Sequence, residues 1–280
     1  MSGSNGNLGR DKIWTPEIWA EIDKAVKEEV GQIRVAQKVF PSTPFNNGQS
    51  VPADLVDQKE LKIDEGLTKP FVELSREFTL TQAQVDNEST LRTGRTLARL
   101  AARDIALAED TIVLQGSVHA KSRVRVVNAQ SAKGGLLDKA DGSLPQIDMT
   151  KGYPESVFKA VADGLAHLVR EGQPGPYALL LESRIYADTY APLPGTLVTT
   201  ADRIAPLVPG GFYSTGTLPT APETGLLASL GGEPTTIYVG VDATTAFTQA
   251  DTEGNYRFRV FERVQFVARD ERALVKLEFK

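Results

Sequence analysis

The chain has 280 residues, with 31 Lys and Arg against 36 Asp and Glu, two His and no Cys. That length buries a sizeable core in one large domain or two. The lack of cysteine excludes disulfides, thiolate nucleophiles and iron–sulfur ligation, and His119 and His167 alone cannot build a histidine metal cage. A net charge of −5 argues against general affinity for nucleic acid or anionic membrane. No run approaches the roughly 18 apolar residues of a membrane span, and the polar start MSGSNGNLGRDK has no signal-peptide core. A cytoplasmic chain with a flexible arm over residues 1–15 is expected.

Thr15-Pro16-Glu17 reads as an N-cap, a first-turn proline and a first-turn acid. The helix they open carries Trp19, Ile22, Val26, Val30 and Ile33 at steps of three and four, a stripe that is first of all a core face. From Phe40 to Asp57, Pro41, Pro44, Asn46-Asn47-Gly48 and Pro52 break both helix and ladder, so residues 16–57 read as helix plus linker. Residues 58–80 alternate apolar and polar on both sides of Asp64-Glu65-Gly66, which predicts a long hairpin needing outside support.

The clearest helix spans 89–115, with Ser89-Thr90 as cap and Gly116 as end. Its Arg92, Arg95, Arg99 and Arg103 share one face. They form either a phosphate stripe or, the favoured reading in an acidic chain, an ion-pair ladder to acids of another element or subunit. Lys121–Val127 reads as a basic strand, and Gly134-Gly135 as a tight turn with no phosphate motif around it. An amphipathic helix over 154–170 turns Val157, Phe158, Val161, Leu165 and Leu168 inward and leaves His167 solvated. Tyr177–Leu181 is a continuous apolar run, as in a strand buried on both faces. Residues 191–225 read as surface turns around short elements. The remainder alternates as strands, with Asp270-Glu271-Arg272 turning the last two into a hairpin.

Catalytic motifs are missing. There is no G-x-S-x-G elbow and no H-E-x-x-H, and neither histidine has a triad context, so the chain is not expected to be an enzyme. Two elements needing support and a Pro/Gly-rich exposed segment fit a protein whose task is to associate.

Gly240-Val241-Asp242, the run Phe258–Phe266 and the run Glu271–Phe279 resemble the closing segment of encapsulins, shell proteins with the tailed-phage major-capsid fold. Trp19–Asp23, Phe78–Leu80 with Asp86-Asn87, Ala108–Gly116 and Gly175–Leu179 resemble the family in the same order. The resemblance implies an α+β capsid fold: an extended loop (58–80), a peripheral domain (81–151 and 241–280) and an axial domain (152–240). It implies a self-assembling nanocompartment shell, an icosahedral homo-oligomer of about sixty subunits or a multiple. Such a shell encloses a cargo enzyme held through a short terminal peptide. The implied docking groove involves Trp19, Ile22, Val26, Val30, Ile33 and Asp242, and the implied pore loop holds Pro192, Leu193, Pro194 and Gly195.

Ala36-Gln37-Lys38 and Pro41 stand where many relatives carry Gly-Arg-Lys or Gly-Arg-Arg and an aspartate, and Ala243-Thr244-Thr245-Ala246 where larger apolar residues are common. A flavin-binding relative has a tryptophan where this chain has Ala83, so no cofactor and no metal are expected. Within the same fold the alternative is a phage or prophage capsid protein packaging DNA; an enzyme with an unrecognised carboxylate site is the reading from another class.

Overall fold

Helix α1 (Pro16–Ile33) buries Trp19, Ile22, Ala25, Val26 and Val30, and a single turn, α2 (Ala36–Val39), follows it. The computed structural model describes residues 8–46, 48–57, 62–120, 123–150, 152–193, 195 and 197–280. The expected free arm is anchored from Leu8 onward, because the Phe247 N–H donates to the Leu8 carbonyl (3.0 Å) and Arg10 pairs with Asp23 (2.7 Å).

Beyond β1 (Ser42–Pro44) comes an arm of four short strands, β2 (Ser50–Pro52), β3 (Leu55–Asp57), β4 (Lys62–Asp64) and β5 (Thr68–Pro70), whose base packs Val51 and Ala53 with Tyr238 and Val267 of the main sheet. β2 pairs with β5 and β3 with β4, both antiparallel. The arm therefore starts inside the stretch read as linker and ends before residue 72, which corrects the expected 58–80; residues 58–61 lie outside the described ones. The prolines misled because a two-stranded ladder has open edges, where a missing N–H costs nothing. Residues of the expected returning strand form β6 (Val72–Thr81), an interior strand of a sheet that also holds β7 (Arg125–Val127), β11 (Thr235–Ala250) and β12 (Asn255–Ala268) and is ordered β1-β11-β12-β6-β7.

Helices α3 (Gln82–Asp86) and α4 (Glu88–Leu91) lead into the spine helix α5 (Thr93–Gln115). Arg92 adopts the left-handed conformation (φ 52°) and separates α4 from α5. The expected Ser89-Thr90 cap lies inside α4; the buried Glu88 carboxylate caps α5 instead, accepting from Gly94 N (2.7 Å) and Arg95 N (2.9 Å). Ala98, Ala101, Ala102, Ala106 and Ala108 are buried in α5, whose slim surface lets it sit between α1 and the strands β6 and β12. β7 (Arg125–Val127) is the strand of the basic segment, and α6 (Leu136–Lys139) follows Gly135, where a Cβ would overlap the Leu114 carbonyl.

The second layer contains α7 (Glu155–Arg170), β8 (Tyr177–Glu182), α8 (Ser183–Asp188), α9 (Thr200–Ile204), β9 (Gly211–Thr215) and β10 (Glu223–Ser229). Its sheet is ordered β13-β10-β8-β9, with β8 inside. Ala178 and Leu180 of β8 join the main core, while Leu179 and Leu181 join a second core under α7, so the continuous apolar run serves two faces. His167 is not solvated: its Nε2 lies 2.8 Å from Asp141 Oδ2, on the segment bridged to Val275.

Two long strands, β11 (Thr235–Ala250) and β12 (Asn255–Ala268), cross the main sheet antiparallel, and β13 (Leu274–Phe279) ends the series. β13 pairs with β10, not with β12, which corrects both the expected terminal hairpin and the placement of 241–280 wholly in the peripheral domain. The short turn Glu271–Ala273 carries the chain from one sheet to the other, and β11 already enters the peripheral sheet at Thr235. The result is an α+β subunit of two sheet layers and an arm.

Candidate functional site

Arg34 stands where α1 stops, its own N–H closing the helix on the Val30 carbonyl (2.9 Å). Its side chain points inward, 7% exposed, into a set of carboxylates that no spacing rule had brought together. Nε lies 2.8 Å from Glu109 of α5, Nη2 lies 2.9 Å from Glu262 of β12, and Nη1 lies 3.7 Å from Asp242 of β11. Gln37 donates to the other Glu109 oxygen (2.6 Å), and Asp110 accepts from Val35 N (2.8 Å) and Ala36 N (2.8 Å), capping α2 from across the core.

Glu109, Asp110 and Glu262 are 0%, 1% and 2% exposed. One guanidinium against three buried acids leaves excess negative charge in a low-dielectric site, and the carboxyls respond by holding protons. Burial, then the charge of Glu109, pushes Asp110 up to about 7, against the backbone donors of Ala36 and Val35. Burial raises Glu109, and burial followed by its negative neighbour Glu109 raises Glu262 well above the carboxylate range. Burial disfavours the charge of Arg34, yet Glu109, Glu262, Asp242 and Asp110 together raise its pKa.

The exposed side of this cluster, Arg34 with Gln37 and Asp242, forms the inner wall of a groove of about 1040 Å³ that runs between the end of α1, α2, the residues after β1 and the bulged middle of β11. Val30, Pro44, Phe45, Phe71, Val239 and Val241 give it an apolar lining, and Lys27, Lys38, Arg263 and Asp242 its charges. Gly240 is needed here for space, since a Cβ would press on the Phe71 ring at 3.0 Å.

Of the residues expected to form a docking groove, only Val30 and Asp242 line it. Trp19, Ile22 and Val26 are 3%, 1% and 0% exposed in the main core, and Ile33 packs against that core part-buried. The stripe faces α5 and an aromatic cluster in which Trp14 stacks on Phe258 (4.7 Å), so α1 offers the groove its other side, Lys27 and Gly31. Pro192, Leu193 and Gly195 lie in a surface turn closed by Leu193 N donating to Val198 O (3.1 Å); Pro194 lies outside the described residues. Leu197 in the same turn is 93% exposed.

Half of the arginine face of α5 is spent within the subunit. Arg99 and Arg103 each fork onto one oxygen of the buried Glu29 of α1, at 2.7 and 2.6 Å. The Arg103 guanidinium first, then Arg99, holds the Glu29 carboxyl below its usual range against the effect of burial. Among the described residues no group of three or more His, Asp and Glu is arranged to hold a metal ion, and no helix is long and apolar enough to cross a membrane.

The type 1 encapsulin shell protein EncA of Myxococcus xanthus (strain DK1622) is 24% identical over 280 residues, covering 94% of this chain and 92% of its own. The fold superposes on the virus-like particle of Pyrococcus furiosus with a TM-score of 0.72 at 16% identity, over 94% of this chain and 100% of that one. It superposes on the holo-SrpI encapsulin complex of Synechococcus elongatus PCC 7942 at 0.59 and 12% identity, covering 87% and 86%, and on the capsid of Myoviridae phage XM1 at 0.57 and 10%, covering 88% and 91%. The family model described as an encapsulating protein for peroxidase matches residues 7–265. With that match running from ahead of α1 into β12, the chain belongs to the encapsulins, and it is a self-assembling shell protein with the phage-capsid fold.

Proposed function

We propose that this chain closes into an icosahedral shell of about sixty subunits or a multiple, encloses a cargo enzyme in the cytoplasm, and is itself no enzyme. The arm carries the assembly part of this reading. Its Ile63 and Leu67 are 55% and 46% exposed, and an isolated two-stranded ribbon is marginal in water, so a neighbouring subunit is its natural support. With Arg99 and Arg103 held by Glu29, two of the four arginines of the basic face are committed within the subunit, which together with the net charge of −5 weighs against packaging DNA.

The groove above Arg34 receives the cargo's terminal peptide. Gly31 lines it and an added Cβ there meets nothing within 4 Å, so Gly31→Trp starts from open space and directs bulk into the groove. Shells of that variant, counted by negative-stain microscopy, should form as before and carry no cargo. Cargo retained at the parental level would remove the groove from this role. The pore is assigned to the turn 191–197, uncharged between Asp188 and Asp202, so entry depends on aperture and on Leu193 and Leu197. A Leu193→Asp ring should alter the entry rate of charged probes into closed shells; an unchanged rate refutes the assignment.

A further inference from the structure

We propose that the groove's ligand is an acidic apolar peptide, one whose carboxylates meet the lysines of the rim; this rests on the groove being the docking site. The charges facing a ligand decide it. Arg34, though in the wall, is committed to Glu109 and Glu262 behind it and offers nothing outward. Asp242 is the one acid among the lining residues; its Oδ1 accepts from Ala243 N (2.9 Å) and faces Arg34, and its side chain is 54% exposed, so a single carboxylate stands against the two rim lysines. Arg263 lies 2.9 Å from Glu73, but Glu73 also takes Arg259 at 3.2 Å, so two guanidiniums share one carboxylate.

Lys27 and Lys38 are exposed on the two helices that flank the opening, and the bond Lys38 makes is to a neutral acceptor, the Gln32 carbonyl (2.7 Å). The open side of the groove is therefore cationic in a chain whose net charge is −5. A local field opposite in sign to the molecule's average favours an anionic partner and repels basic ones. The apolar floor of Val30, Phe45 and Phe71 supplies the rest of the recognition, as in grooves that seat short peptides by alternate side chains.

Co-expressing the full chain with a fluorescent protein that bears a randomised C-terminal tail of about ten residues, purifying the shells and sequencing the enclosed tails tests this directly. Tails combining Leu, Val or Phe with Asp or Glu should be enriched about tenfold over equally apolar tails with Lys or Arg. The Lys27→Glu, Lys38→Glu double variant should reverse that preference, and the corresponding Gln pair should abolish it. Enrichment of basic tails, or of apolar tails regardless of charge, overturns the acidic assignment while leaving docking intact. No enrichment of any tail overturns the docking reading with it. Failure of both double variants to form shells would assign the groove to a neighbouring copy of the chain and also overturn the proposal.

Discussion

Arg34 and the carboxyls around it set opposing demands on one buried site. A carboxyl whose folded pKa is raised binds a proton that the unfolded chain has released, so its contribution to stability is complete below the unfolded value and is lost as pH rises through the folded one. For Asp110 that window runs from 3.8 to about 7. Relative to Asp110→Asn, which keeps an acceptor for the Ala36 and Val35 amides, the parent should lose on the order of 1 kcal/mol per pH unit across it. Thermal unfolding of both proteins at steps of pH measures this; a constant difference between them would refute the assignment. Arg34→Met removes the guanidinium that faces Glu109 and Glu262 and should cost about 3–5 kcal/mol, read by denaturant titration. None of this was legible from periodicity, which scores apolar residues and passes over charges. The available signal was charge at apolar phase: Glu109 and Asp110 follow Ala108 on the buried side of α5, and Glu262 interrupts an apolar run in β12.

Helices were legible because their pattern is local. The stripe of α1 and the alanines of α5 name their own buried faces, and α7 covers its axial sheet with the residues the period selects. Strand partners were not, since alternation says that a segment is a strand and which side is buried, but leaves its neighbour open. Hence β13 was paired with β12 in expectation and with β10 in fact. The capping of α5 was missed for a related reason: Glu88 lies on the far side of a left-handed Arg92, outside any regular capping pattern. Glu88→Ala would strand the buried Gly94 N–H and the part-buried Arg95 N–H at the start of the spine and should cost about 2 kcal/mol, whereas Glu88→Gln, keeping one acceptor, should cost about half of that. Equal losses in chemical denaturation would mean that the cap contributes by packing alone.

As a whole molecule, the subunit separates what folds it from what joins it to others. The arm between Pro52 and Thr68 pairs with itself, so replacing residues 54–66 with a short Gly/Ser turn should leave the melting temperature of the subunit within a few degrees while shells disappear from sedimentation profiles. A removal reaching past residue 72 would instead take out β6 and unfold the main sheet. Both sheets, moreover, are closed by late residues: β6 waits for β12, and β10 waits for β13. On a ribosome the chain emerges from its N-terminal side at about 5–20 residues per second. The helices α1 and α5 can therefore pair early, while the two sheets remain open until residues 255–279 have been made. A nascent chain is thus unable to present a finished surface to its neighbours on the same messenger, and shell growth draws only on polypeptides whose translation has passed the last strand.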